Sequence, residues 1–546
     1  MQKLERFVKR IDPGFLVVLA ISFIAVWPFI SRASLPEGTD AELHIFRLFE
    51  LSHLLRGGEL YPRWAPNFYH GYGYPIFNYY APLTYYIGFL VELTPWADAV
   101  VAVKTVFVLG IFLSGFGIYG FVRDNWGRRA GYVAAAVFLY TPYVQYIDPH
   151  ARGVLPESFS FGVFVCALWA LNRVRISYGR WPWLVSVFLT AAVILSHNLM
   201  GLLFFGILTA WVIWLLLFDY RDKDHRIQAA RYLLPVLGLG LGFAAFFWLP
   251  VILEQNAVNL DTLIGRQDNY DFHTHFLSLG EMFATTMILD RGETEPEFRF
   301  NLGIIQWILA GLGMLLLGVG KVKGSRHLTF FATLSCVLIF LMLPWSTIIW
   351  ESLPFLPYFQ FPWRLLGATA TMLAVLAGTG SAAFCDLLCD RRWSNVPSPQ
   401  WLKRCDSITI LVFVALPIVA GLPLSQPPEW SDFGEVNHLR MTLIENTGRW
   451  LGTTSTADYV PATVDTIPTR QGSVVAPFDR GLPPDRVNWA NLPEDATVET
   501  ETVRPLLTRY KINTPRNTRF RIFQFDFPGW RAKIDGQLVE TELGRP

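Results

Sequence analysis

The chain has 546 residues, of which 52% are hydrophobic and 16% charged, and its mean hydropathy is +0.34. Soluble proteins carry about 25% charged residues, so the composition excludes an ordinary soluble domain and points to an integral membrane protein. Lys and Arg number 45 against 44 Asp and Glu, a formal net charge of +1, which leaves no overall field to recruit nucleic acid or an acidic partner.

From the N-terminus, the apolar run Phe15 to Ile30 follows Lys9 and Arg10. It has the character of a signal-peptide core, but no small-x-small cleavage site follows it and many further apolar runs do, so it reads as a retained first helix. With about 20 apolar residues per crossing, spans fall near 15–31, 99–122, 131–147, 155–172, 181–195, 199–218, 232–253, 302–320, 328–345, 363–385 and 407–425. That gives about eleven transmembrane helices. Short basic loops occupy every second connection: Arg123/Arg128/Arg129, Arg173/Arg175/Arg180, Arg221/Lys223/Arg226, Lys321/Lys323/Arg326 and Arg391/Arg392/Lys403/Arg404. Because cytoplasmic loops carry the positive excess, these loops and the N-terminus are placed in the cytoplasm. The opposite set faces out: 32–98, 148–154, 196–198, 254–301, 346–362 and the chain from 426 onward.

One segment tests this scheme. Ala81 to Leu93 is apolar enough to tempt a further span, but counting it would invert every later loop against the arginine pattern. It is therefore placed as a helix lying in or dipping into the outer interface. Residues 1–425 form the membrane module, with 31–98 as its first extracytoplasmic loop. After Pro423 the composition shifts to Pro, Thr, Asp and Arg, and the alternating run Arg519 to Phe527 fits half-buried strands. Residues 426–546 are expected to be an extracytoplasmic β-rich domain. The strand-turn signal Lys533 to Glu540 comes just before Pro546, which leaves that sheet short of strands and reads as a C-terminal truncation. The five cysteines, Cys166, Cys336, Cys385, Cys389 and Cys405, fall in or beside apolar runs, so no disulfide framework or zinc motif is encoded.

The candidate chemistry lies in the outer set. If the segment after Pro36 is helical, Thr39 is placed to cap it, and Asp40, His44 and Arg47 share one face at spacings of four and three. Asp40 and Glu42 are an Asp-x-Glu pair whose side chains diverge on a helix, so both touch one metal ion only on a locally extended backbone. A solvated amphipathic helix face explains the same residues. The second outer loop gathers Asp148, His150, Arg152 and Glu157. Glu157 falls about one turn inside the next span, where a carboxylate needs a partner or a function, and Arg152 is its expected mate. That pair either pins the helix or binds substrate.

Ser196-His197-Asn198 interrupts two apolar runs at a tight outer turn. His197 is either a helix cap or a phosphate ligand. Arg364, at the outer start of another helix, either snorkels to lipid headgroups or serves as a two-pronged phosphate donor. Pro62 to Tyr80 is dense in aromatics, Gly and Pro, which suits a platform for sugar rings or an interfacial belt. No P-loop, Rossmann fingerprint, nucleophile elbow or HExxH is present.

Taken together, Thr39 to Arg47, Tyr74 to Leu83, Ala151 to Glu157, Ser196 to Asn198, Phe361 to Arg364, Gly452 to Pro461 and Phe527 to Gly536 resemble a bacterial membrane-protein group. It is named for a relation to 6-pyruvoyl-tetrahydropterin synthase, has kinship to YfhO-like proteins, and sits within the GT-C superfamily of membrane glycosyltransferases. The resemblance implies a GT-C-like fold in the plasma (inner) membrane. It also implies transfer of a sugar from a polyprenyl-phosphate donor to a glycan, lipid or protein acceptor on the extracytoplasmic face, inverting at the sugar. It puts Asp40 in the place of the catalytic base and Glu157 in that of the second-loop acid. Arg364 and His197 become candidates for the donor phosphate, with Glu42, His44, Arg47, His150, Arg152 and Asn198 as further substrate contacts. A divalent cation, Mg or Mn, would fall to Asp40, Glu42 and Asp148, although the second loop lacks a clean Asp-x-Asp or Asp-x-Glu pair. The alternative is a non-enzymatic protein that binds or moves a polyprenyl-linked glycan or an anionic lipid.

Overall fold

A computed structural model describes residues 12–220, 222–263, 270–290, 298–388, 400–430, 432–454 and 457–544. Arg221, Cys389, Arg391, Arg392, Ser455 and Thr456, and the side chains of Lys403, Arg404 and Cys405, lie outside them. The chain forms two compact units: residues 1–41 with 104–244 and 271–432, and residues 42–103 with 245–270 and 433–546.

Among the described residues five helices are long and apolar enough to cross a membrane: Ala99–Trp126, Leu155–Ser177, Asn198–Asp219, Pro362–Leu388 and Ser407–Ser425. The number rises to seven if each of two bent pairs is one span, and Gly14–Ile30, Arg180–Ser196 and Ile304–Gly318 are shorter apolar helices. At 1.5 Å per residue, Ala99–Trp126 is about 42 Å long, more than the roughly 30 Å of hydrocarbon it would have to cross.

In the first unit, Leu155–Ser177 and Pro362–Leu388 are the central helices, each with 78% of its most apolar stretch buried, against 22% for Ser407–Ser425. Small residues let the helices come together: a Cβ added at Gly380 would sit 2.4 Å from the Cα of Gly313 on a neighbouring helix. Without a hydrophobic drive between helices in lipid, such backbone approach is a main source of packing energy. The outer faces of peripheral helices keep large apolar side chains exposed, among them Leu411, Leu315 and Phe188.

The second unit is built on helix Ala41–Arg56 and the aromatic loop that follows it. Leu83–Glu92 is a helix of 10 residues that buries Thr84, Tyr85 and Gly88, too short to span a bilayer. Among the described residues of this unit the β-strands form two antiparallel hairpins, Thr497–Arg504 with Leu507–Asn513 and Ala532–Ile534 with Gln537–Val539. The run Arg519 to Phe527 is not a regular strand. Its alternation has a different cause: Phe523 and Phe525 pack on Tyr72, and Phe527 packs on Trp64, while the backbone makes an isolated bridge between Ile522 and Val487 and a hydrogen bond from Phe525 N–H to the Tyr72 carbonyl. An alternating pattern fixes which face is buried but supplies no neighbouring strand.

Candidate functional site

The candidate residues divide between the two units. Asp40, Asp148, His150, Arg152, Glu157, His197, Asn198 and Arg364 belong to the first, and Glu42, His44 and Arg47 to the second.

In the first unit three helix starts bring charge together. Glu157 lies in the first turn of Leu155–Ser177, where the helix dipole favours a carboxylate. Arg364 ends the short turn that leads into Leu365–Leu388, and His197 precedes Asn198–Trp214. Arg152 ties the group together. Its Nη1 lies 2.5 Å from Asp148 Oδ1 and 3.1 Å from Glu157 Oε2, so Glu157 has the mate its position demanded. Arg364 Nε approaches the same Glu157 oxygen at 3.6 Å, beyond hydrogen-bond range. The other arm of Arg364 donates to Phe359 O and Gln360 Oε1.

Tyr143 donates its hydroxyl to Glu157 Oε1 at 2.7 Å and accepts from Arg152 at 3.2 Å. The Trp363 ring lies 4.6 Å from the Arg152 guanidinium and is itself stacked on Phe300 at 4.0 Å. Asp148 and Glu157 are fully buried, and burial, with Glu157 beside it, drives the Asp148 carboxyl well above the usual carboxylate range.

The segment bearing Asp40 is fastened to this cluster through its backbone. Asp40 N–H donates to the Arg152 carbonyl at 2.7 Å, and the Thr39 hydroxyl donates to the same oxygen at 2.9 Å. Thr39 therefore does not cap the following helix as expected. That helix begins at Ala41, so Asp40 stands just ahead of it. The approach depends on two glycines: a Cβ on Gly38 would meet Gly153 Cα at 2.8 Å, and one on Gly153, whose φ is +72°, would meet Ala41 N at 2.9 Å. Asp40 is half-buried, and its charge acts on both Asp148 and Arg152.

His197 is a helix cap, one of the two roles left open above. Its Nδ1 accepts from Leu199 N and Met200 N at 3.1 and 3.2 Å, which puts the ring proton of the neutral form on Nε2. Burial lowers its pKa to about 4, with Glu157 opposing and Arg364 and Arg152 reinforcing, so the ring is a neutral donor at physiological pH. His150 stacks on Phe29 at 4.4 Å, and burial followed by Arg32 lowers it to about 3.

In the second unit Glu42 accepts from Trp450 Nε1 at 3.0 Å and faces Arg440 at 3.8 Å. His44 shares a hydrogen bond with the Tyr85 hydroxyl at 2.8 Å. Arg47 is buried over the Tyr80 ring at 4.1 Å and donates to Thr453 Oγ1 at 3.1 Å and to the Thr453 carbonyl. Two buried carboxylates that the sequence did not mark hold this unit. Glu50 binds Asn67 and His438, and Glu445 accepts the backbone N–H groups of Tyr69, His70 and Gly452. Among the described residues no three His, Cys, Asp or Glu side chains gather as a metal site. Glu42 and Asp148 already face Trp450 and Arg152, so the donor set does not fit a ready divalent site and no step is derived through one.

Fold and site together define a multi-pass helical membrane protein with a charged cluster buried at the starts of its central helices. Residues 77–422 match the family described as 6-pyruvoyl-tetrahydropterin synthase related domain, membrane protein, and the chain belongs to that family. An uncharacterized protein of Lactococcus lactis subsp. cremoris is 22% identical over 361 residues, covering 63% of this chain and 55% of the relative. The chain thus spans about half the length of the curated relative it matches. Among solved structures, the Archaeoglobus fulgidus oligosaccharyltransferase tethered to an acceptor peptide is similar at 12% identity and a TM-score of 0.47, over 83% of this chain and 61% of that one. ArnT from Cupriavidus metallidurans, bound to undecaprenyl phosphate, is similar at 14% identity and a TM-score of 0.38, over 82% and 77% of the respective chains.

Proposed function

We propose that the protein is a membrane glycosyltransferase that moves a sugar from a polyprenyl-phosphate carrier to an acceptor hydroxyl on the extracytoplasmic face. The observation that carries this reading is the fastening of Asp40 to the Arg152 backbone, beside a buried cluster that includes Arg364. A half-exposed carboxylate next to cationic donors is what in-line transfer from a phosphate requires. Asp40 accepts the proton of the acceptor hydroxyl as its oxygen bonds to the anomeric carbon. The bond from that carbon to the phosphate oxygen breaks, its electron pair leaves with the lipid phosphate, and configuration inverts.

Negative charge then grows on the departing phosphate, and preorganised donors stabilise it. Arg364 suits this role because its Nε faces Glu157 without a hydrogen bond. His197 supplies a neutral Nε2–H whose tautomer the helix cap fixes. Arg152, engaged by Asp148, Glu157, Tyr143 and Trp363, acts as a positioning residue that holds both the Asp40 segment and Glu157. Purified protein given a labelled polyprenyl-phosphate sugar tests this. Wild type should form product and Asp40→Asn should lose about 100-fold or more, the usual contribution of a general base. Equal turnover by a folded Asp40→Asn variant would remove the base assignment.

A further inference from the structure

The first unit carries a second charged feature at the far end of one of its helices. Helix Arg180–Ser196 ends beside His197, and its 17 residues place its start about 25 Å away. There, between this start and helix Lys223–Phe243, lies a cleft of about 400 Å³ lined by Tyr178, Arg180, Trp183, Arg231 and Tyr232. Its aromatic walls are fixed: Trp183 Nε1 donates to the Tyr232 carbonyl at 3.1 Å, and the Tyr178 and Tyr232 rings are 5.0 Å apart.

The two guanidiniums are not committed. Among the described residues neither Arg180 nor Arg231 has an ion pair or a side-chain hydrogen bond, and no acidic side chain lines the cleft. By contrast, Arg175, at the end of the preceding helix, is paired with Asp219 at 3.1 Å. Trp181, next to Arg180 in the chain, is 75% exposed, in the manner of an interfacial anchor.

Two planar forks facing an acid-free cleft with aromatic walls match a tetrahedral oxyanion, which each guanidinium can grip through paired N–H groups. We propose that this cleft binds a phosphate group, presented either as the phosphodiester headgroup of an acidic membrane lipid or as the free anion. The site is separate from the proposed transfer centre and does not depend on that reading.

Native mass spectrometry of the full chain in detergent tests it. The protein is titrated with phosphatidylglycerol, with phosphatidylcholine and, in a separate arm, with inorganic phosphate at constant ionic strength. Wild type should bind phosphatidylglycerol in preference to phosphatidylcholine. Arg180→Gln/Arg231→Gln should weaken that binding about thirtyfold, as expected for two basic residues at a membrane surface, and the double Lys variant, which keeps the charge but not the paired N–H fork, should recover only part of it. Displacement of the lipid by inorganic phosphate would name the free anion as a sufficient ligand; lipid binding that inorganic phosphate leaves intact would name the headgroup. Equal affinity of wild type and the folded Gln variant, or no preference between the two lipids, would overturn the proposal.

Discussion

Replacing Glu157 by Gln removes one charge from the buried cluster while keeping its shape. The carboxylate is fully buried and lies 3.1 Å from Arg152, 3.6 Å from Arg364 and 2.7 Å from the Tyr143 hydroxyl. Removing one partner of a buried pair costs about 3–5 kcal/mol, because the other charge is left uncompensated. Gln still accepts from Tyr143, and Arg152 keeps Asp148, so the expected loss is near the lower end, about 3 kcal/mol. Arg152→Met alone should cost a similar amount by stranding Asp148 and Glu157. The double variant removes Arg152 and Glu157 together and leaves only Asp148 without its guanidinium, so its loss should fall short of the sum by about 2 kcal/mol, within the range seen for contacting residues. Equilibrium unfolding in mixed detergent micelles, run as a double-mutant cycle, measures this. Additivity within about 0.5 kcal/mol would show that the pair is not coupled and would refute the cluster as described.

Further outcomes follow from single observations. Gly153→Ala places a Cβ 2.9 Å from Ala41 N at a φ of +72° and should cost about 1–3 kcal/mol; it should also impair product formation in the transfer assay, whereas Gly206→Ala, with open space around it, should not. His70 and His197 are held by burial at about 4 and His150 at about 3, below the ordinary value near 6.5. The unfolded chain therefore binds more protons than the native one between pH 6.5 and about 4, and stability is lost as pH falls through that window. At pH 5 each histidine should contribute about 2 kcal/mol of this loss, measured as a flatter pH dependence of unfolding in His70→Asn. Glu445→Ala strands three backbone donors at Tyr69, His70 and Gly452, at about 1–3 kcal/mol for each that stays dry. Limited proteolysis should then cut near residues 69–70 faster than in wild type.

Much of the first unit's site was legible because ionisable residues beside apolar runs are conspicuous. Glu157 inside a span called for Arg152, and the two are paired. His197 between two spans was either a cap or a ligand, and its geometry is that of a cap whose other nitrogen is a donor. Tyr143 gave no signal, and Trp363 entered only as part of the run Phe361 to Arg364, since a tyrosine or tryptophan near a helix end has ordinary membrane uses. The glycine contact that fastens Asp40 joins positions more than 100 residues apart, and no local pattern encodes such an approach. Glu50 and Glu445 were missed for a related reason. Glu50 follows Leu48 and Phe49 on an amphipathic helix and Glu445 precedes Asn446 and Thr447, where a carboxylate reads as a solvated face, and each becomes notable only when the fold buries it against distant backbone N–H groups. The aromatic alternation of Phe523, Phe525 and Phe527 correctly marked a buried face, yet the hydrogen-bonding partner that makes a strand is a property of another segment.

The central claim divides two roles: Arg364 holds the carrier phosphate and Asp40 accepts the proton. Single-turnover transfer from a pre-bound labelled polyprenyl-phosphate sugar, with bound donor and product counted in the same sample, tests that division directly. Asp40→Asn should retain donor at the wild-type level and form product about 100-fold more slowly or worse, while Arg364→Ala should lose bound donor. An Asp40→Asn variant that binds and transfers like wild type, or a wild-type protein that binds donor and never forms product, would contradict the account.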